Sequence, residues 1–354
     1  MTVSLPMSAR KIALVFAALC MVQFALAQTR SAPGGGMAIA PSAPLGDTPT
    51  LSVVEWLQRM HSASRQRSYV GTFVVSAATG DLSSARIWHV CEGDLQMERV
   101  EALSGPPRST FRRNDRVMTF LPDAKVVKSE KRDSLELFPN LLGTPDSALN
   151  DFYSVRVLGK GRVAGFDADV VNLVPRDMLR FGYRIWSERR SGLVVKLQTL
   201  DGEGRVVEQS AFSELQLDAP VKVQALSQMM ADTTGYRIEK SELDRTTPQA
   251  EGWTLKNPVD GFKPASCYRR TLGGAGSGEH AMQWTFTDGL ATVSLFVEPY
   301  DAQRQPKEVL LALGATHTMT RRLVDPSGDW WLTAVGEVPP QTLEAFALRL
   351  ARTR

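Results

Sequence analysis

Residues 52–75 read SVVEWLQRMHSASRQRSYVGTFVV, and the apolar period changes partway along this stretch. Ser52-Val53-Val54-Glu55 has the spacing of a capping box, with the serine side chain serving the backbone three residues on and the glutamate reaching back. Val53, Trp56, Leu57, Met60 and Ala63 then recur at helical spacing, which places them on one face. From Tyr69 the period falls to two: Tyr69, Gly71, Phe73 and Val75 alternate with Val70, Thr72 and Val74. An amphipathic helix with a single apolar stripe followed at once by a strand predicts a helix laid on a sheet.

Turn-forming pairs then recur at short intervals: Thr79-Gly80-Asp81, Glu92-Gly93-Asp94, Asn114-Asp115, Pro122-Asp123, Gly159-Lys160-Gly161, Ser191-Gly192 and Asp201-Gly202-Glu203-Gly204. Between them lie strand-like runs such as Arg86–Val90 and Leu193–Leu197, which imply an antiparallel meander. One stretch departs from that rhythm. Residues 134–153 hold Leu135, Leu137, Phe138, Leu141, Leu142, Leu149 and Phe152, broken by Pro139, Gly143 and Pro145, and read as short helices or an apolar flap over the sheet. A curved sheet with a helix and a flap on its concave side is a half-open barrel, whose mouth suits a ligand. Periodicity does not distinguish an open concavity from a sealed core.

Beyond Leu217 the pattern weakens, and residues 219–248 read as a linker with some helix or strand of its own. A second domain over residues 249–354 shows a hairpin from His280 to Val297 turning at Thr287-Asp288-Gly289. A further hairpin turns at residues 325–329, and a closing helix follows Pro339-Pro340 with Leu343, Phe346, Ala347 and Leu350 on one face. The first domain is thus expected over residues 50–218. Ahead of it, residues 28–49 are rich in Gly, Pro, Ala and Ser and read as a flexible leader.

Residues 1–27 have the layout of a secretory signal peptide: Arg10 and Lys11, an apolar run from Ile12 to Phe24, and Ala25-Leu26-Ala27 as the cleavage pattern. Cys20 raises lipidation as an alternative, against which stands the bulk of Leu19. Cleavage after Ala27 places the mature chain outside the cytoplasm. It also removes two of the three excess positive charges behind the net +3, so nucleic acid is not an expected partner. Cys91 and Cys267 remain, and sequence leaves open whether they are free or paired.

Catalytic and metal motifs are missing from the chain. The four histidines are isolated, with no H-E-x-x-H, C-x-x-C or G-x-S-x-G pattern, so neither enzyme nor cofactor is expected. His89, two residues from Cys91 on a strand, reads first as a core histidine beside a buried thiol. The Gly-rich stretch 273–278 precedes a strand and not a helix, so it reads as a hairpin loop and not a phosphate cradle. Two binding features survive. The flap and inner face nominate Phe73, Phe120, Leu137, Phe138, Leu142 and Phe152 for an acyl chain. Arg108, Arg112, Arg113 and Arg116 form a basic group for an anionic headgroup, or else a solvated strand edge near Glu98 and Glu101. In the second domain, Arg321, Arg322 and Trp331 are nominated for a protein partner, since arginine and tryptophan dominate interface energetics; packing of Trp330 and Trp331 in that domain's core is the competing reading.

Several segments together resemble the MucB/RseB family of periplasmic regulators of the envelope-stress sigma factor. The likeness is carried by Tyr69–Phe73, Trp88–Val90, Glu98–Gly105, Tyr153–Gly159, Arg162–Ala168, Pro175–Asp177, Asp288–Glu298 and Val335–Pro339, in order and across both domains. The resemblance implies a mainly antiparallel α+β chain: a LolA/LppX-like unclosed β-barrel with helices in its concavity, then a smaller α+β domain. It implies binding to the periplasmic region of a membrane-anchored anti-sigma factor, shielding of that region from proteolysis, and release by lipid or lipopolysaccharide in the first domain. A periplasmic lipid or lipoprotein carrier is the rival, and an esterase a distant third. Oligomeric state stays open.

Overall fold

The computed structural model describes residues 51–131, 148–240, 243–271, 280–305, 307–326 and 328–353. The expected helix, α1 (Val53–Gln66), is present with its capping box: Glu55 N–H donates to Ser52 Oγ at 3.3 Å, and Ser52 N–H donates to Glu55 Oε2 at 2.7 Å. Its apolar stripe is buried as the spacing requires.

A twelve-stranded sheet follows, built from β1 (Tyr69–Ala77), β2 (Leu82–Glu92), β3 (Leu95–Ala102), β4 (Ser109–Arg113), β5 (Arg116–Leu121) and β6 (Val126–Lys131). After the short helix α2 (Leu149–Phe152) come β7 (Tyr153–Val163), β8 (Phe166–Pro175), β9 (Gly182–Glu188), β10 (Val194–Leu200) and β11 (Val206–Leu217). Two meanders are joined by the pairing of β1 with β11, and among the described residues the sheet does not close on itself. It curls instead: β7 approaches β11, and α1 touches both β2 and β7. Burying each of Val53, Leu57 and Met60 against this inner face contributes about 1.5–3 kcal/mol relative to leaving it in water.

Two expectations are corrected. Gly159-Lys160-Gly161 is no turn; it lies inside β7, where the register with β8 shifts between Val157 and Gly159. Gly159 adopts φ +123°, open to glycine, and Gly161 lies so close beneath Trp186 that a Cβ would sit 2.9 Å from the indole. Nor is the 219–248 segment only a linker. Its helix α3 (Val223–Ala231) buries Val223, Leu226 and Met230, and β12 (Arg237–Lys240) pairs in parallel with β6 as the last strand of the first sheet.

The second domain holds β13 (Leu243–Arg245), β14 (Trp253–Leu255), β15 (Lys263–Thr271), β16 (His280–Thr287), β17 (Thr292–Pro299), β18 (Leu310–Leu313), β19 (Thr316–Asp325), β20 (Gly328–Gly336), α4 (Pro340–Arg349) and β21 (Leu350–Arg352). Seven of these strands form an antiparallel sheet in the order β13-β15-β16-β17-β20-β19-β18, and β14 pairs with β21. Both expected hairpins and the closing helix are found. α4 packs Leu343, Phe346 and Ala347 onto Phe286, Leu295, Leu332 and Ala334.

Candidate functional site

Register decides which nominated side chains share a face. Phe73 lies opposite Ala85 on the inner face, in the core under α1, with Phe212 edge-on at 6.4 Å. Phe120 lies opposite Ser109, itself opposite Glu101 and then Arg86, which is the other face of the sheet. There it joins Phe111 and Tyr236, each 5.4 Å away, in a second core covered by α3. Phe120 therefore cannot line the same cavity as Phe73, because α3 supplies a separate cover. Phe152 is half-buried on the inner side, under the Arg180 guanidinium at 4.5 Å. Leu137, Phe138 and Leu142 lie outside the described residues. An open recess of about 580 Å³ beside the end of α1 is lined by Gln66, Arg67, Ser68, Asp218 and Ala219, a polar wall unsuited to an acyl chain.

The four arginines also separate. Arg112 is buried at 1% exposure: its Nε donates to Glu98 Oε2 at 2.6 Å, and its other nitrogens meet the Asn114 carbonyl and Gln96 Oε1. An arginine so engaged is not available to a headgroup. Arg113 and Arg116 face each other, exposed, at the β4–β5 turn, while Arg108 is half-buried before β4. Arg112 belongs instead to a polar ladder of directly opposed residues, Tyr69, His89, Glu98 and Arg112, across β1 to β4. His89 is fully buried, stacked on Tyr69 at 4.9 Å, with Nδ1 2.7 Å from the Arg67 carbonyl and Nε2 3.7 Å from Glu98. Burial depresses its pKa, with Glu98 pulling the other way. Cys91 and Cys267 are both free thiols, and burial pushes Cys267 up to about 11. Among the described residues, no group of three His, Cys, Asp or Glu side chains could hold a metal ion.

Nor do the nominated partner residues form one patch. Trp331 is 6% exposed and packs on Tyr300 at 5.8 Å, because the loop after β17 covers it. Arg322 pairs with Asp329 and lies over the Tyr300 ring at 4.4 Å. Arg321, one residue earlier on β19, projects to the opposite face, the side of α4.

One buried group that ties the two domains together was not legible in sequence. Arg180, in the loop between β8 and β9, has a fully buried side chain. Its Nη1 donates to Asp288 Oδ2 at 2.8 Å, its Nε to Asp177 Oδ1 at 2.9 Å, and its Nη2 to the Asp260 carbonyl at 2.7 Å. Phe152, Phe262 and Tyr153 surround the guanidinium. Asp288 accepts the Leu290 and Ala291 amides on Oδ1 and the Tyr153 hydroxyl on Oδ2, so every buried lone pair is met. Burial raises the Asp288 carboxyl above its ordinary value, although these donors and Arg180 oppose the rise. Around this centre the domains exchange residues: Leu290 enters the first core, Leu179 packs on the second, and Thr342 and Gln341 of α4 bond the Leu179 and Met178 carbonyls. Asp288-Gly289 had the mark of a hairpin turn, and no local signal ties it to an arginine 108 positions away.

Fold and junction together define a two-domain β-sheet protein in which an unclosed twelve-stranded sheet is locked to a smaller α+β domain through a buried ion pair. The profile of the MucB/RseB N-terminal domain matches residues 52–230, and that of the MucB/RseB C-terminal domain matches residues 247–351. The chain belongs to the MucB/RseB family. It is 30% identical over 321 residues to the sigma factor AlgU regulatory protein MucB of Pseudomonas aeruginosa, covering 84% of this chain and 90% of that one. It is 25% identical over 293 residues to the sigma-E factor regulatory protein RseB of Escherichia coli K12, covering 82% and 88%. The solved complex of Pseudomonas aeruginosa MucA and MucB superposes with a TM-score of 0.65 at 28% identity, over 85% of this chain and 99% of the matched one.

Proposed function

We propose that this chain is a periplasmic regulator that binds the periplasmic region of a membrane-anchored anti-sigma factor, shields that region from proteolysis, and releases it when lipid or lipopolysaccharide occupies the first domain. The observation that carries the reading is family membership together with the likeness to a MucB captured with MucA. The junction supports the coupling. Helix α2 follows directly on the apolar stretch that includes Leu137, Phe138 and Leu142. Its Leu149 lies in the first core and abuts Gly289 of the second domain, while Tyr153 bonds Asp288. A ligand that displaces this stretch therefore acts on side chains that hold the second domain. Each acyl CH₂ taken from water contributes roughly 0.8 kcal/mol, enough for one chain to shift a domain equilibrium. Linkage is reciprocal: lipid weakens partner binding by the factor by which partner weakens lipid binding. A carrier of lipid alone gains nothing from so closely fitted a second domain.

The test is protection of the purified periplasmic region of the cognate anti-sigma factor against its site-one protease, with and without a lipopolysaccharide micelle. Protection by the mature chain that lipopolysaccharide abolishes is the expected result. Unprotected cleavage, or recovery of lipoprotein with no anti-sigma factor in an envelope pull-down, would overturn the reading in favour of the carrier. Leu142→Asp is expected to leave protection intact while blunting its reversal by lipopolysaccharide.

A further inference from the structure

Strand β18 is one edge of the seven-stranded sheet and, among the described residues, pairs only with β19. Its four residues are all exposed, with Leu310 at 49%, Leu311 at 54% and Leu313 at 40%. Sheet edges are ordinarily blunted by charge, proline, a bulge or a cover. Leu310-Leu311-Ala312-Leu313 has no charge and no proline, and its register with β19 is unbroken.

That register shows which backbone groups face outward. Leu313 and Thr316 flank the two-residue turn Gly314-Ala315 and so form a hydrogen-bonded pair, and such pairs alternate along an antiparallel ladder. The alternation makes Val309 and Thr320 a bonded pair as well, as the Thr320 N–H to Val309 carbonyl distance of 2.8 Å shows. Leu310 and Ala312 are then the non-bonded positions, whose N–H and C=O groups point away from β19. Their side chains lie on one face and those of Leu311 and Leu313 on the other. The edge thus offers two donors, two acceptors and apolar side chains above and below, which is the complement of an extended peptide.

We propose that β18 is the docking edge on which an extended, apolar segment of the anti-sigma factor's periplasmic region adds as an eighth strand; this rests on the regulator reading above. A second copy of the chain fits less well. Four residues span roughly 13 Å, too little by themselves for the about 1,000 Å² that a stable interface needs. The strand also ends at the domain junction: Ala315 N–H donates to Glu208 Oε2 of β11 at 3.1 Å, and Gly314 lies against Glu208 and Ala77. A second seven-stranded sheet would meet that rim, whereas one extended strand can run past it. Near the rim, Leu82 is 66% exposed and lies opposite Ser76, the neighbour of Ala77. Ahead of β18, Lys307 and Arg321 outnumber Glu308 and favour an acidic residue at that end of the apolar segment, whereas Glu208 at the rim disfavours one at the other.

Ala312→Pro tests the proposal, because it removes one outward N–H and leaves every bond to β19 in place. The mature chain is titrated with the purified periplasmic region of its cognate anti-sigma factor, and thermal midpoints are compared in parallel. Weakening by about 10- to 100-fold at an unchanged midpoint is expected, as for one buried partner carbonyl left unmet. Unaltered affinity would overturn the docking edge and leave the regulator reading standing; a wild-type chain that does not bind would sink both. Hydrogen exchange on the unsubstituted chain covers the case in which the proline variant fails to fold. The Leu310 and Ala312 amides are expected to gain protection when the segment is added, and unchanged exchange would overturn the proposal. So would a dimer that the proline dissociates without loss of segment binding, since the edge would then belong to a second copy.

Discussion

Arg180 contributes through what its removal leaves behind. Arg180→Met strands the Asp288 carboxylate beside Tyr153 with no cation, and Asp288→Asn leaves the buried guanidinium with the partly exposed Asp177 as its counter-charge. Either is expected to cost about 3–5 kcal/mol in urea denaturation, whereas Arg180→Met combined with Asp288→Leu should cost clearly less than the two single losses added. His89 gives a pH signature at the same scale. Its folded pKa lies below its unfolded one, so the unfolded chain takes up the proton more readily. Stability is therefore present above the ordinary histidine range, near about 6.5, and is lost as pH falls through that range toward the depressed folded value. Glu98 favours the protonated ring and Arg112 opposes it, but burial dominates. Thermal melts should fall more steeply between about pH 7.5 and 5.5 for the wild type than for His89→Gln. Some slope persists in the variant because burial also depresses His317.

Among the elements, α3 and β12 alter the outline of the first domain. Residues that read as a connector cover the outer apolar face formed by Val90, Met97, Phe111, Met118, Phe120 and Val127. A chain ending at residue 218 exposes that face and is expected to bind a hydrophobic dye and aggregate, while one ending at residue 240 keeps its cover. Leu226→Ala, which removes one buried side chain of α3, should cost about 2–5 kcal/mol by chemical denaturation. Helix α1 was legible because its cap and stripe lie within fifteen residues of one another, from Ser52 to Gln66. The outer cover was not: Val223, Leu226 and Met230 mark a short amphipathic helix, but nothing local names the strand face it meets.

At the level of the whole molecule, the two domains are expected to unfold together. Leu290 sits in the first core and Leu179 on the second, so neither domain can open without exposing apolar surface of the other. Calorimetry should show one transition for the wild type and two for Arg180→Met, the earlier being undocking with loss of one domain. A single broadened transition in that variant would mean that the apolar exchange, and not the ion pair, joins the domains.

Period, caps and turns are short-range properties, and so the chain alone determined the antiparallel meander, α1, the hairpins of the second domain and the closing helix. Ordered likeness along both domains likewise carried the family. What only the tertiary structure decided is which side chains meet. Phe73 and Phe120 look alike in sequence and lie on opposite faces, because a pleat sends neighbours to opposite sides and each face acquired its own cover. Arg112 looks exposed in sequence and Trp331 reads either way; both are buried, Arg112 among Glu98 and Gln96 of β3 and the Asn114 carbonyl, and Trp331 against Tyr300. Arg180 and Asp288 meet across 108 positions because burial of one charge requires the other, a condition set by distance in space.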